Sequence, residues 1–384
     1  MNDTPPFSAL PEPSVSNPMA PADPPRSEGV QWVDPERERA FNAWLAQVAP
    51  AYQLVPASVR PASADAGFRR YLRIDTSDAG SRIIMDAPPA LENCEPFVKV
   101  AALIHEAGLK APQILNWDER GGFMLLTDLG SRTILETLLE VAEPVRIEKA
   151  KPLYLQALDV LISWQQSSKP GILPAYDATV LHRELQLFPD WYLAKHRGVT
   201  LEGTARDALN KVFDLIVARN LASPSVYVHR DFMPRNLMPA TDGGPIGVLD
   251  FQDALYGPMT YDIASLMRDA FLSWDEEFVL DITVRYWERA KKAGLMGFED
   301  WGSDFGSFWR AVEWMGLQRH LKVAGIFARL SLRDGKPKYL ADTPRFIAYI
   351  RHTAGRYREL APLLRLIDQV EGTAAPSGWA FGRV

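Results

Sequence analysis

The sequence predicts an α+β fold in two parts, a small strand-rich lobe followed by a larger helical one. Residues 34–130 mix helix patterns with short strand patterns separated by polar or glycine-containing turns. From 131 onward apolar side chains recur mostly at helical spacing. Two short apolar runs interrupt that helical half, VYVHRD at 226–231 and IGVLDF at 246–251, and both run into charged residues. No internal repeat is present.

The elements follow in order. Eight of the first 25 residues are proline, no basic residue precedes Arg26, and no continuous apolar stretch occurs. Such a segment buries too little apolar surface to offset its ordering entropy, and it lacks the basic start and apolar run of a secretory signal. A disordered tail over residues 1–33 is expected. Asp34-Pro35-Glu36 opens the first helix, with proline at the first helical position and acids in the first turn, and the pattern runs on through FNAWLAQV. AYQLVPASV, GFRRYLRID and SRIIMDA read as three short strands. Residues 95–108, EPFVKVAALIHEAG, have helical spacing and stop at Gly108. QILNWD and, after Gly121-Gly122, GFMLLTDLG are two more strands. Helical patterns follow at 145–168, 179–196, 204–220, 262–273, 275–293, 305–330 and 343–368. The expected boundaries are a small lobe at 34–128, a helical lobe at 129–368 and a C-terminal tail at 369–384.

Composition excludes several classes. A chain of 384 residues, 47% hydrophobic and 23% charged, is ordinary for a soluble protein with a sizeable core. Its net charge of -6 lacks the basic excess of nucleic-acid binding. No apolar run reaches 18 residues, so no membrane span is expected. The lone Cys94 excludes an intramolecular disulfide and fits a reducing compartment, so a cytoplasmic protein is expected.

The two interrupting runs carry groups that are costly to bury without partners or a task. His229, Arg230 and Asp231 stand together, Asn236 comes five residues after Asp231, and Asp250 lies 14 residues beyond Asn236. Two carboxylates and a carboxamide are hard oxygen ligands that Mg²⁺ accepts while it keeps waters and phosphate oxygens. The order H-R-D-x-x-x-x-N, then a strand ending in D-F, is the arrangement phosphoryl transfer uses in kinases. Asp231 then takes or orients the proton of an acceptor hydroxyl, and Asn236 and Asp250 hold metal between nucleotide phosphates. ATP and Mg²⁺ are the expected cofactors. A strand-end salt bridge and an unrelated buried strand would explain either motif alone. The joint order, the spacing and the small lobe upstream favour the kinase reading.

HRDFMPRNLM followed by GVLDFQDALYGPMTYDIASLMRD resembles the aminoglycoside-phosphotransferase branch of the protein-kinase-like fold. Within that branch the chain is similar to the bacterial kinases that act on the anomeric hydroxyl of N-acetylmuramate and N-acetylglucosamine. FRRYLRI, IIMDAPP, CEPFVKVAALIHEAGLKAPQIL, RELQLFPDWYL and QRHLKVAGIFARLSLRDGKPKYL carry the likeness, which covers roughly residues 63–350. The catalytic motif is common to the superfamily, while APP, FPDWYL and QRHLKV narrow the match. The resemblance implies a bilobal kinase fold and an ATP- and Mg²⁺-dependent sugar 1-kinase of peptidoglycan recycling, with a small-molecule amino sugar as its partner. The competing readings are a kinase of the same fold for an aminoglycoside, choline-like or other alcohol, and a catalytically inactive kinase-like binding protein.

The resemblance also implies roles for further residues. It places the phosphate-covering loop at DAGFRRY, residues 65–71, making Gly67, Phe68, Arg69 and Arg70 nucleotide candidates. Ile84, Leu126 and Asp128 join them on later strands. One departure stands out: the first lysine of the chain is Lys99, and Asp86 stands about where protein kinases carry a phosphate-holding lysine. Arg69, Arg70 and Arg82 are the candidate substitutes, since a planar guanidinium suits phosphate. Arg183, Glu184, Asp253 and Arg319 are sugar-binding candidates, Arg319 for a carboxylate such as the lactyl group. A turn role for Asp253 and a core salt bridge for Arg319 are the alternatives. Met233 replaces the basic residue often found two after the catalytic Asp, and Arg235 is placed to compensate. His229 and Asp262 are supporting residues, Asp262 either as a helix N-cap or as a buttress of the catalytic loop.

Overall fold

Asp34 accepts the Glu36 amide at 2.8 Å and Pro35 follows it, so α1 (Pro35–Val48) begins where the sequence predicts. The structure is a computed structural model that describes residues 30–64, 68–143, 145–240 and 243–373. Most of the expected N-terminal tail and Gly67 lie outside the described residues. Val30 and Trp32 are a correction to the tail boundary. Both pack on the core beside α1, with the Trp32 ring 4.9 Å from Phe41 and beneath the Arg70 guanidinium.

After α1 come β1 (Arg60–Ala64), β2 (Arg70–Asp75), β3 (Ser81–Asp86), α2 (Glu95–Glu106), β4 (Ile114–Asp118) and β5 (Phe123–Thr127). The five strands form one sheet in the order β1-β2-β3-β5-β4. The first strand starts later than expected. Pro56 opens a 3-10 turn at Pro56–Ser58, because its fixed φ suits a turn and its missing N–H does not suit a ladder, and after an isolated bridge at Leu54 the continuous ladder begins at Arg60. Strand alternation turns Leu72, Ile74, Ile84 and Leu125 to one face, where they bury against Phe41, Trp44 and Leu45 of α1. Each such side chain contributes about 1.5–3 kcal/mol when buried. A slip of one residue would turn the whole layer to the other face, so this packing fixes the register.

The chain divides into two units. One holds the described residues up to Glu92 with Leu115–Ser131, the other Asn93–Ile114 with the described residues from Arg132 on. α2 therefore groups with the helical unit, whereas the sequence reading kept it in the small lobe.

The helical unit continues with α3 (Ile134–Leu139), α4 (Val145–Gln166), α5 (Ala178–Leu187), a π-helical stretch at Phe188–His196, α6 (Gly203–Leu221) and β6 (Ser225–Val228). Then follow β7 (Leu237–Met238), β8 (Gly247–Val248), β9 (Leu255–Pro258), α7 (Thr260–Met267), α8 (Glu276–Lys292), α9 (Phe305–Leu332), α10 (Thr343–Arg356) and α11 (Ala361–Glu371). α3 was not anticipated, although Thr133 and Glu136 form a capping box at its start. The 179–196 pattern splits at Phe188-Pro189, since proline offers no N–H to a continuing α-turn. The 343–368 pattern splits at Tyr357, whose backbone is extended, and Pro362 restarts the chain in α11. α7 ends earlier than its pattern, where Arg268 leaves helical backbone.

Every residue of α9 from Val312 to Gly325 is buried, including Gln318, Arg319, His320 and Lys322. A helix buried on all sides must find partners for its polar side chains. Among the described residues no helix is long and apolar enough to cross a membrane.

Candidate active site

The site grows from two short ladders. β6 pairs antiparallel with β9 and delivers the chain at Val228 into the His-Arg-Asp segment. β7 pairs with β8 through Leu237↔Val248 and Met238↔Gly247, and Leu249 donates its amide to the Asn236 carbonyl at 2.9 Å. That ladder is why the two motifs meet. Asn236 Nδ2 donates to the Asp231 carbonyl at 2.9 Å and lies 3.4 Å from Asp250 Oδ2. Gln252 donates to Asp250 Oδ1 at 2.9 Å, and Phe251 packs on Phe97 of α2 with ring centroids 4.9 Å apart. Arg230 and Asp250 both hold left-handed backbone, at φ 76° and 60°. Non-glycine residues rarely do so without a surrounding structure that enforces it.

Asp262 supplies part of that enforcement. Its buried carboxylate accepts the His229 amide at 2.7 Å and the Arg230 amide at 3.0 Å. These two bonds hold the left-handed conformation, which costs about 1–2 kcal/mol, in place. Asp262 lies within α7 and does not cap it, so of its two expected roles the helix-cap one is corrected. Burial pushes its carboxyl up to about 7, against the pull of the two amides and Arg319. His229 is buried as well, and burial pushes its imidazole down to about 4, so the ring is neutral. Nε2 then donates to the Leu249 carbonyl at 3.0 Å, and Nδ1 accepts the Asp231 amide at 3.3 Å. A neutral His229 thus ties both motifs together through hydrogen bonds alone.

The four sugar candidates do not gather into one set. Arg183 and Asp253 are exposed. Glu184, one residue after Arg183, is buried and bonded to Arg230, Lys322 and Tyr176. Arg319 is buried, with its guanidinium 5.3 Å over the Tyr261 ring. Burial pushes the Asp269 carboxyl up to about 6, and Arg319 pulls it the other way, as it does Asp262. Arg235 is exposed and sits over the Phe271 ring at 4.6 Å. Lys322 was missed: nothing but its place three residues after Arg319, inside an apolar helix, could have marked it.

In the sheet unit, Phe68 is exposed, and its amide donates to Glu92 at 3.1 Å. Arg69 and Arg82 are half-buried, with Arg82 Nη1 donating to the Ser81 carbonyl at 2.8 Å. Arg70 bonds Asp86 through Nε at 3.0 Å, and Arg37 of α1 bonds the same carboxylate at 2.8 Å. Asp86, standing where a lysine was expected, is thus the anion of a structural ion triad, and Arg70 is committed to it. Ile84 is a second correction: it lies in the α1-facing core, and Ile83 and Met85 occupy the opposite strand face. Leu126 is buried opposite Ile83. Asp128 pairs with Arg73 at 2.7 Å and accepts the Ser81 hydroxyl at 2.7 Å. Burial opposes ionisation of Asp128, yet these bonds hold its carboxyl below the usual range.

The donor set of the two turns that carry Asp231 and Asp250 fits Mg²⁺. Asn236 Nδ2 donates to both the Asp231 carbonyl and Asp250 Oδ2, so its amide oxygen, a hard donor, and the Asp250 carboxylate are the ligand types Mg²⁺ accepts. Phosphoryl transfer to an alcohol asks mainly for position and charge neutralisation, and two turns fixed by buried amide–carboxylate and imidazole bonds supply position. The surrounding fold is that of the aminoglycoside phosphotransferases and choline kinases. It superposes on the ethanolamine kinase of Plasmodium vivax with a TM-score of 0.56 at 12% identity, covering 87% of this chain and 89% of that one. A putative aminoglycoside phosphotransferase from Ralstonia eutropha gives 0.56 at 15% identity, covering 85% and 97%. The chain belongs to the phosphotransferase enzyme family, which it matches over residues 58–298. It is 48% identical over 344 residues to the N-acetylmuramate/N-acetylglucosamine kinase of Pseudomonas aeruginosa, covering 87% of this chain and 97% of that protein. It is 47% identical over 338 residues to the protein of the same name from Neisseria meningitidis, covering 88% and 97%.

Proposed function

We propose that this phosphotransferase is an ATP-dependent sugar kinase. It phosphorylates the anomeric hydroxyl of N-acetylmuramate and N-acetylglucosamine, in the cytoplasm, as a step of peptidoglycan recycling. The observation that carries the reading is the 48% identity, extending over 87% of the chain, to a kinase named for these two sugars. In the proposed reaction the sugar oxygen attacks the γ-phosphorus of ATP, Asp231 accepts the proton that oxygen loses, and ADP leaves. Asn236 and Asp250 would hold Mg²⁺, which neutralises phosphate charge when bound. Asp262 holds the His229 and Arg230 amides, and His229 holds the Asp231 amide and the Leu249 carbonyl, which keeps the turn before Asp231 in place.

The set of two carboxylates and a carboxamide supports an active enzyme over an inactive binding protein, since Asp231, Asn236 and Asp250 are all present and Asn236 Nδ2 bonds both the Asp231 carbonyl and the Asp250 carboxylate. A coupled assay of ADP release against a panel of amino sugars, aminoglycosides and choline-like alcohols tests the reading. Turnover confined to the amino sugars is expected. Turnover confined to another class would replace the substrate, and none with any acceptor would favour the binding protein.

A further inference from the structure

Glu184 Oε1 is shared by two cations, Arg230 Nη2 at 2.7 Å and Lys322 Nζ at 2.9 Å. Tyr176 donates its hydroxyl to the other oxygen, and Lys322 Nζ also donates to the Tyr261 hydroxyl at 3.0 Å. The three charged side chains are 6%, 19% and 10% exposed, in the order Glu184, Arg230, Lys322. Both oxygens of Glu184 are therefore engaged inside the protein. Burial by itself would push the Glu184 carboxyl up, yet Lys322 and Arg230 hold it below the usual range.

A buried ion network of this kind is weak as a source of stability, because apolar replacements of similar volume often fold as well or better. Its place gives it another use. Arg230 is the residue before Asp231, in left-handed backbone, and its amide is already held by Asp262. Two independent devices grip one residue, one by the backbone and one by the side chain. We propose that Glu184 and Lys322 are positioning residues that clamp the Arg230 side chain and so fix the orientation in which Asp231 meets the acceptor hydroxyl. The clamp is internal to the chain and needs no modification or partner. This rests on the role of Asp231 in the proposed reaction.

Glu184→Gln keeps the shape and removes the charge. It should lower kcat on the order of 10²-fold, the scale of a small misplacement of a catalytic group, with KM for ATP and acceptor unchanged. Lys322→Met should act in the same direction, and Lys322→Arg should restore most of the lost kcat. Since Glu184→Gln leaves two buried cations and can fail to fold, the double variant Glu184→Gln, Lys322→Met removes one of them. Its kcat should stay low, because Arg230 still lacks its carboxylate. Wild-type kcat in the double variant would overturn the clamp. So would a raised acceptor KM with unchanged kcat in Glu184→Gln, which would make Glu184 a sugar ligand. The assay uses whichever acceptor the wild-type enzyme turns over, so an inert amino sugar would count against the proposed substrate and not against the clamp.

Discussion

Arg230 holds φ at 76° while donating its amide to the Asp262 carboxylate at 3.0 Å. The carboxylate that holds the turn before Asp231 is itself buried, and burial pushes it up to about 7 from its ordinary 3.8. A raised acid binds its proton more tightly in the folded protein than in the unfolded chain. Its contribution to stability is present below the unfolded value and is lost as pH rises through about 7.

Asp262→Asn cannot ionise, so it lacks this loss. Between pH 4 and pH 8 the unfolding free energy of wild type should fall relative to the variant by on the order of 4 kcal/mol. Denaturant titrations at both pH values measure it. A difference that does not change with pH would mean that the carboxyl titrates normally and the loop is held at no electrostatic cost.

Asp231→Asn should keep the fold and its melting temperature, since the side chain is only half-buried. It should lose roughly 10²–10⁴-fold in kcat, the range expected for a general base. Retention of more than about a tenth of wild-type kcat would remove Asp231 from the proton transfer.

Asp250→Ala should weaken metal-dependent nucleotide binding more than acceptor binding, because the carboxylate faces Asn236 in the proposed metal pair. The activity of the variant should saturate only at higher Mg²⁺ than wild type needs. Identical Mg²⁺ titration curves would take Asp250 out of the metal site.

Gly325 lets α9 lie against the end of α5. A Cβ at this position would stand 2.3 Å from the Leu187 carbonyl carbon and oxygen, which are backbone and cannot swing away. Gly325→Ala should destabilise by about 1–3 kcal/mol through overpacking, seen as a lower melting temperature. An unchanged melting temperature would show that the two helices separate without cost.

The meeting of the two turns that carry Asp231 and Asp250 was legible because their pattern is local. His229, Asp231, Asn236 and Asp250 lie on one stretch of sequence, and a two-residue ladder is enough to bring them together. Helix starts such as Asp34-Pro35 were legible for the same reason. The residues misplaced by the sequence reading depend on tertiary partners. Ile84 and Arg70 share a strand face with the α1 core, and only the packing of Trp44 and Phe41 decides which face that is. Arg319 and Lys322 sit in a stretch of helix buried on all sides, so periodicity gives no hint that one lies over Tyr261 and the other bonds Glu184. The split at Phe188-Pro189 carried a visible proline signal, and it was outweighed by apolar spacing that a π-helix tolerates as well.

The proposed substrate and chemistry meet in one measurement, phosphorus NMR of the product formed from N-acetylmuramate and ATP. The account predicts an acid-labile phosphate on the anomeric oxygen, with no product when that oxygen is blocked as a methyl glycoside, because a hydroxyl out of line with the γ-phosphate reacts very slowly. Phosphate on the primary hydroxyl, or turnover of the methyl glycoside, would contradict it.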